Sequence, residues 1–95
     1  MSYRLSQEAE IDVEKMVFDG AVLFGPDQVI EYHAKLTSRM QFLAEYPFAT
    51  RLRNEVRPPV RAYPCEAHII IYDVDDAGDV LILRVHHARQ DWLDL

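Results

Sequence analysis

Glycine is scarce in this chain. Gly20, Gly25 and Gly78 are the only three in 95 residues, and no two are adjacent. That excludes a glycine-rich phosphate cradle and a GxSxG nucleophile turn, and with them the signatures of most small-molecule enzyme classes. Cys65 is alone, so there is no disulfide framework and no cysteine metal site. It reads as lying in a turn between strands, and Glu66 beside it raises rather than lowers a thiol's pKa, against a nucleophilic role. No apolar run approaches the ~20 residues that span a bilayer. The opening Met-Ser-Tyr-Arg-Leu-Ser lacks a signal peptide's apolar segment, so a cytoplasmic protein with no membrane partner is expected. Nothing repeats and no segment is low in complexity. Hydrophobic residues make up 49% and charged residues 27%, the composition of a globular chain, and the length suits one domain over residues 1–95.

Positive charge is also in short supply. The net charge is −6, whereas nucleic-acid binders draw most of their affinity from a basic surface, so direct sequence-specific nucleic-acid binding is not expected. The distribution is uneven. Residues 51–61 hold Arg51, Arg53, Arg57 and Arg61 against Glu55 alone, while acidic residues gather at 8–14 and 73–79. Only two of the ten basic residues are lysine. The other eight are arginine, which suits bidentate contacts to carboxylates or phosphates and protein interfaces.

Along the chain, Tyr3-Arg4-Leu5 reads as a short strand and Ser6 as an N-cap, with acidic residues in the following turns where the helix dipole favours them. Ala9, Val13, Met16, Val17 and Gly20 recur at helical spacing, predicting a helix over residues 7–19. Gly20 and the loop Gly25-Pro26-Asp27 are expected to end it, with Leu23 and Phe24 packing under a helix pair. A second helix is predicted from about Asp27 to Tyr46, burying Val29, Leu36, Met40 and Leu43, with Tyr32 or His33 filling the gap. Pro47 stops it. After an irregular, arginine-rich segment come three strands: 60–63, 68–74 and 80–86, the last two joined by the turn Asp75-Asp76-Ala77-Gly78-Asp79. The order β-α-α-β-β-β implies an α+β, two-layer fold, a helix hairpin packed on an antiparallel sheet.

Four histidines raise the question of a metal. His33 is alone on a helix and His68 begins a strand. His86 and His87 are neighbours on a strand, so they point to opposite faces and do not readily share an ion. With no HExxH or Cys/His spacing, no metal and no cofactor are expected. What remains is the polar exit of the last strand. Arg84, His87, Arg89, Asp91 and Trp92 lie on or just beyond a segment that must sit inside a sheet, and Arg61 on an earlier strand can join them if the sheet order allows. Arginines with a histidine can serve phosphoryl chemistry, as in a ribonuclease, or can pin an acidic protein segment. The plain structural alternative is that Arg89 and Asp91 pair with each other or with strand ends while Trp92 covers the core.

Read in order, several segments resemble the ParE branch of the RelE/ParE toxin superfamily. Tyr3-Arg-Leu-Ser-Gln-Glu-Ala-Glu-Ile-Asp12 is similar to its opening strand, cap and acidic helix. Leu43-Ala-Glu-Tyr-Pro47 resembles the end of its long second helix. Arg53-Asn-Glu-Val-Arg-Pro-Pro-Val-Arg-Ala-Tyr-Pro64 resembles its entry to the sheet, and Ile69-Ile-Ile-Tyr-Asp-Val74 with Ile82-Leu-Arg-Val-His-His-Ala-Arg-Gln-Asp-Trp92 completes the set. His86 stands where an aliphatic residue is common and Ala88 where glycine is common.

The resemblance implies the toxin of a type II toxin–antitoxin pair, a cognate ParD-like antitoxin forming a hetero-oligomer with it, and DNA gyrase as the target. It implies a binding inhibitor rather than a catalyst. Arg61 matches one of the superfamily's working sheet arginines and Arg89 lies near another; together with Arg84, His87, Asp91 and Trp92 at the constrained strand exit they are the expected target-binding residues. The alternative on the same fold is the RelE-type ribosome-dependent endoribonuclease. That branch uses a late Tyr or His as its acid, and here only His87 qualifies. A third reading is an inert family member retained as a partner or regulator. Both faces of the last two strands are apolar, Ile70, Tyr72 and Ile82 on one and Leu81, Leu83 and Val85 on the other. A two-layer fold covers one such face, so an antitoxin is expected on the helix hairpin and the open sheet face, with Ile70, Tyr72 and Ile82 among its contacts.

Overall fold

In the computed structural model, which describes residues 2–90, the elements are β1 (Tyr3–Leu5), α1 (Gln7–Phe24), α2 (Pro26–Glu45), β2 (Leu52–Arg53), β3 (Val60–Cys65), β4 (His68–Val74) and β5 (Val80–His87). The strands form one sheet in the order β1-β5-β4-β3-β2. The run from β2 to β5 is an antiparallel meander, as the turn signals predict. β1 pairs parallel to β5, making the sheet mixed. That pairing joins the two ends of the described chain, and no local signal encodes it.

Ser6 ties three elements at one point. Its Oγ accepts from Ala9 N–H at 3.1 Å, capping α1, and donates to the Leu83 carbonyl at 2.8 Å, while its own N–H donates to the Ile82 carbonyl. α1 does not end at Gly20. It continues to Phe24, because at Gly20 the two helices come so close that a Cβ would stand 2.9 Å from Val29 Cγ2. The residue is a contact point between helices, not a stop. The break falls at Gly25, whose φ of 93° favours glycine; its N–H closes α1 on the Ala21 carbonyl, and Pro26 opens α2. Leu23 and Phe24 therefore sit on helix and are exposed, contrary to the expectation that they pack underneath.

Ala9, Leu36, Met40 and Leu43 from the helices meet Cys65, Ile70, Tyr72, Val80, Ile82 and Val85 from the sheet. Burying each large member is worth about 1.5–3 kcal/mol. Tyr32, half-buried, fills the gap in the α2 stripe, and His33 is exposed. Cys65 ends β3 inside this core rather than in a turn.

Two expectations about the sheet faces are corrected. Ile70, Tyr72 and Ile82 are fully enclosed under the molecule's own helices, so an antitoxin cannot reach them without displacing those helices. Val85 shares their face. A bulge opposite Ile71 and Tyr72 inserts one residue in β5 between Ile82 and Arg84, and this shifts the alternation by one. The other face carries a small cluster of Val60, Ala62 and Ile71, flanked by Val56, Ile69 and Leu83. It is not the broad open apolar face expected.

Candidate functional site

The bulge decides the fate of Arg84. Its guanidinium grips the Asp12 carboxylate on α1 through two hydrogen bonds of 2.8 and 3.1 Å, and Val85 N–H donates to the same carboxylate at 2.9 Å. Burial alone would raise the Asp12 pKa; the Arg84 and Val85 hydrogen bonds and the Arg84 charge outweigh it and hold the carboxyl below its ordinary value. Arg84 is thus a strut between helix and sheet.

His87 and His68 form a cross-strand pair with ring centroids 5.3 Å apart. Ala67 N–H donates to the Tyr32 oxygen at 3.1 Å, leaving the phenol proton for His68 Nδ1 at 2.6 Å. Arg89 N–H donates to His87 Nδ1 at 3.2 Å. Each Nδ1 is then an acceptor, which puts the ring proton of both imidazoles on Nε2. Burial, and then the neighbouring His87, lower the His68 pKa. Burial also raises Tyr32 and, more than Glu66 does, Cys65. His86 is 4% exposed, its Nε2 has no hydrogen-bond partner among the described residues, and burial followed by the Arg84 charge lowers its pKa.

Asp12, Tyr32, His68, Arg84, His86 and His87 line a cleft of about 780 Å³ between the helix hairpin and the end of the sheet, with Met16, Leu23, Phe24 and Val29 as its apolar wall. Among the described residues no cluster of three or more His, Cys, Asp or Glu side chains could hold a metal. No described helix is long and apolar enough to cross a membrane.

Arg61 does not join the exit of β5. Its guanidinium lies 4.9 Å over the Phe48 ring and donates to the Thr50 carbonyl. The expected constellation is therefore divided. Arg61 stands near the β2 edge, Arg84 is bound to Asp12, and His87 and Arg89 are exposed at the strand exit. Asp91 and Trp92 lie outside the described residues. Sequence reasoning missed Asp12, Tyr32, His68 and Phe48 as site members. Each contacts residues between 13 and 73 positions away, and only the register reveals them.

A helix hairpin on a five-stranded mixed sheet is also the architecture of a solved structure described as the chromosomal ParDE TA system from P. aeruginosa. It matches with a TM-score of 0.78 at 20% identity, over 92% of this chain and 95% of that one. The Toxin ParE1 proteins of two Mycobacterium tuberculosis strains, CDC 1551 / Oshkosh and ATCC 25618 / H37Rv, are each 29% identical to it over 89 residues, covering 94% of this chain and 91% of theirs. The family model for the ParE toxin of the type II toxin–antitoxin system, parDE, matches residues 3–92, and the chain belongs to that family.

Proposed function

We propose that this chain is a toxin that acts in the cytoplasm by binding DNA gyrase, and that a cognate ParD-like antitoxin neutralises it in a hetero-oligomer. Beyond family membership, the observation that carries the antitoxin reading is the apolar surface of the hairpin. Phe18, Val22, Leu23, Phe24 and Ile30 are each between 65% and 71% exposed, and Ile11 extends the stripe along α1. A patch of this size invites a partner. The exposed Glu14, Asp27 and Glu31 lie on the same two helices, and Asp19 there is paired with Lys15, so the covering segment should be apolar on one side and basic at its margins.

Binding rather than RNA cleavage is favoured by the dispersal of the polar groups. An acid–base reaction needs its donors and acceptor around one reacting atom. Here Arg84 is committed to Asp12 and Arg61 to Thr50 and Phe48. His87 and Arg89 keep exposed side chains and remain target-contact candidates.

Expression without antitoxin tests the reading. Growth arrest with an induced DNA-damage response and intact mRNA is expected. Codon-dependent mRNA cleavage lost on His87→Ala would instead assign the chain to ribosome-dependent ribonucleases.

A further inference from the structure

At the other end of α2 from the hairpin tip lies a patch of opposite character. Tyr46 and Phe48 are exposed by 59% and 68%, and Leu52 by 37%. Leu52 is the cross-strand neighbour of Arg61, on the last strand at that edge of the sheet. Arg51 is exposed and shares Glu55 at 3.3 Å, an exposed pair that a partner's carboxylate can replace at little cost. We infer that Tyr46, Phe48, Arg51 and Leu52, with Arg61 holding the Phe48 loop in place, form a second docking surface, which takes an acidic protein segment with an apolar anchor. On the reading above, from which this follows, that segment belongs to gyrase.

The patch is held ready by the core. The buried Tyr72 hydroxyl donates to the Pro47 carbonyl at 2.9 Å and lies 3.0 Å from Thr50 Oγ1, and Arg61 holds the Thr50 carbonyl. The loop presenting Phe48 is thus pinned on both sides of that ring. An exposed aromatic on a pinned loop loses little freedom when a partner covers it. Beside it, Phe42, Tyr46, Pro47, Phe48 and Ala49, with the exposed Glu45 at the rim, line a shallow, mostly apolar depression that suits the inserted apolar anchor, while the segment's acidic groups face Arg51. Aromatic residues and arginine together are the usual composition of a binding hot spot.

Charge identifies the occupant. Residues 51–61 carry a net +3 and the rest of the chain −9, so the segment beside the depression is where the chain is most basic and where an anionic partner meets least repulsion. An acidic protein segment fits better than nucleic acid. The depression is apolar, whereas a phosphate backbone requires a row of uncommitted cations, and the acidic remainder opposes a long polyanion. α2 has 20 residues, so at 1.5 Å rise the hairpin tip with Leu23 and Phe24 stands about 30 Å from the far end of α2 that carries Tyr46. Antitoxin and target contacts can therefore be separated by mutation.

The test uses the full chain and three probes: purified gyrase, a short labelled peptide of Glu and Asp around a Phe-Leu anchor, and a single-stranded oligodeoxynucleotide. Phe48→Ala and Arg51→Glu each change an exposed side chain, and melting temperature and antitoxin affinity serve as controls. Each variant should weaken gyrase and peptide binding about tenfold or more while both controls hold. Folded variants that bind both probes like the parent would overturn the inference, as would a parent that binds neither. Peptide binding through these residues without gyrase binding would keep the surface and remove gyrase as its partner. Preference for the oligonucleotide, lost in the same variants, would make the patch a nucleic-acid surface and overturn the acidic-segment assignment.

Discussion

Tyr72 and His86 show two ways a polar group is handled inside this protein. The Tyr72 hydroxyl is satisfied by Pro47 and Thr50. Tyr72→Phe leaves the Pro47 carbonyl without its donor, and a loss of about 1–3 kcal/mol is expected by chemical denaturation, with faster proteolysis at residues 47–50. His86 Nε2 has no partner among the described residues, so His86→Leu should be neutral or stabilising. The pH dependence follows from His86 and His68, both held below the ordinary value of 6.5. Above that value neither folded nor unfolded chain binds the proton. Below it the unfolded chain binds protons that the folded chain does not, so stability falls with acidification until the folded pKa is reached. The melting temperature should drop between about pH 7 and about pH 5, and less steeply in His86→Leu. An equal slope in the two proteins would show that His86 does not carry this effect. Asp12 lies outside this window. Its carboxyl is held below 3.8, so its contribution is present above that value and is lost as pH falls through the folded pKa.

Elements were legible in proportion to how local their signals are. The Ser6 cap, the α2 stripe of Val29, Leu36, Met40 and Leu43, and the hairpin of β4 and β5 all depend on neighbours within a few residues, and the structure matches them. The end of α1 was misread because Gly20 has two meanings, helix breaker and close-approach site, and only tertiary contact selects between them. The bulge was invisible for the same reason. It places Val85 with Ile70 and His87 with His68, where strict alternation from Ile82 puts both elsewhere. The Arg84–Asp12 strut crosses 72 positions, so Arg84 read as a free working residue. At this scale Gly20→Ala is informative. Alanine favours a helix by up to about 1 kcal/mol, but its Cβ would meet the stiff, buried Val29. A net loss of about 1–3 kcal/mol is expected in denaturant, most of it recovered when the change is made in a Val29→Ala background. Equal costs in both backgrounds would mean that the helices do not meet there.

The whole molecule presents two unlike surfaces on one scaffold, an acid-bordered apolar hairpin tip and an arginine–aromatic patch at the far end of α2. The arginine run was plain in the sequence, but its pairing with Phe48 required the fold. A protein that must be silenced by one partner and bind another gains from such a division, since each surface can be tuned alone. Phe18→Ser with Val22→Ser should weaken antitoxin binding by at least about tenfold and leave gyrase affinity unchanged, a contrast that calorimetry on both partners measures. The most direct measurement of the central claim is a supercoiling assay with purified gyrase and purified toxin, with and without antitoxin. Loss of supercoiling with accumulation of cleaved DNA, reversed by stoichiometric antitoxin, is the predicted result. Gyrase left fully active at toxin concentrations that arrest growth would contradict it.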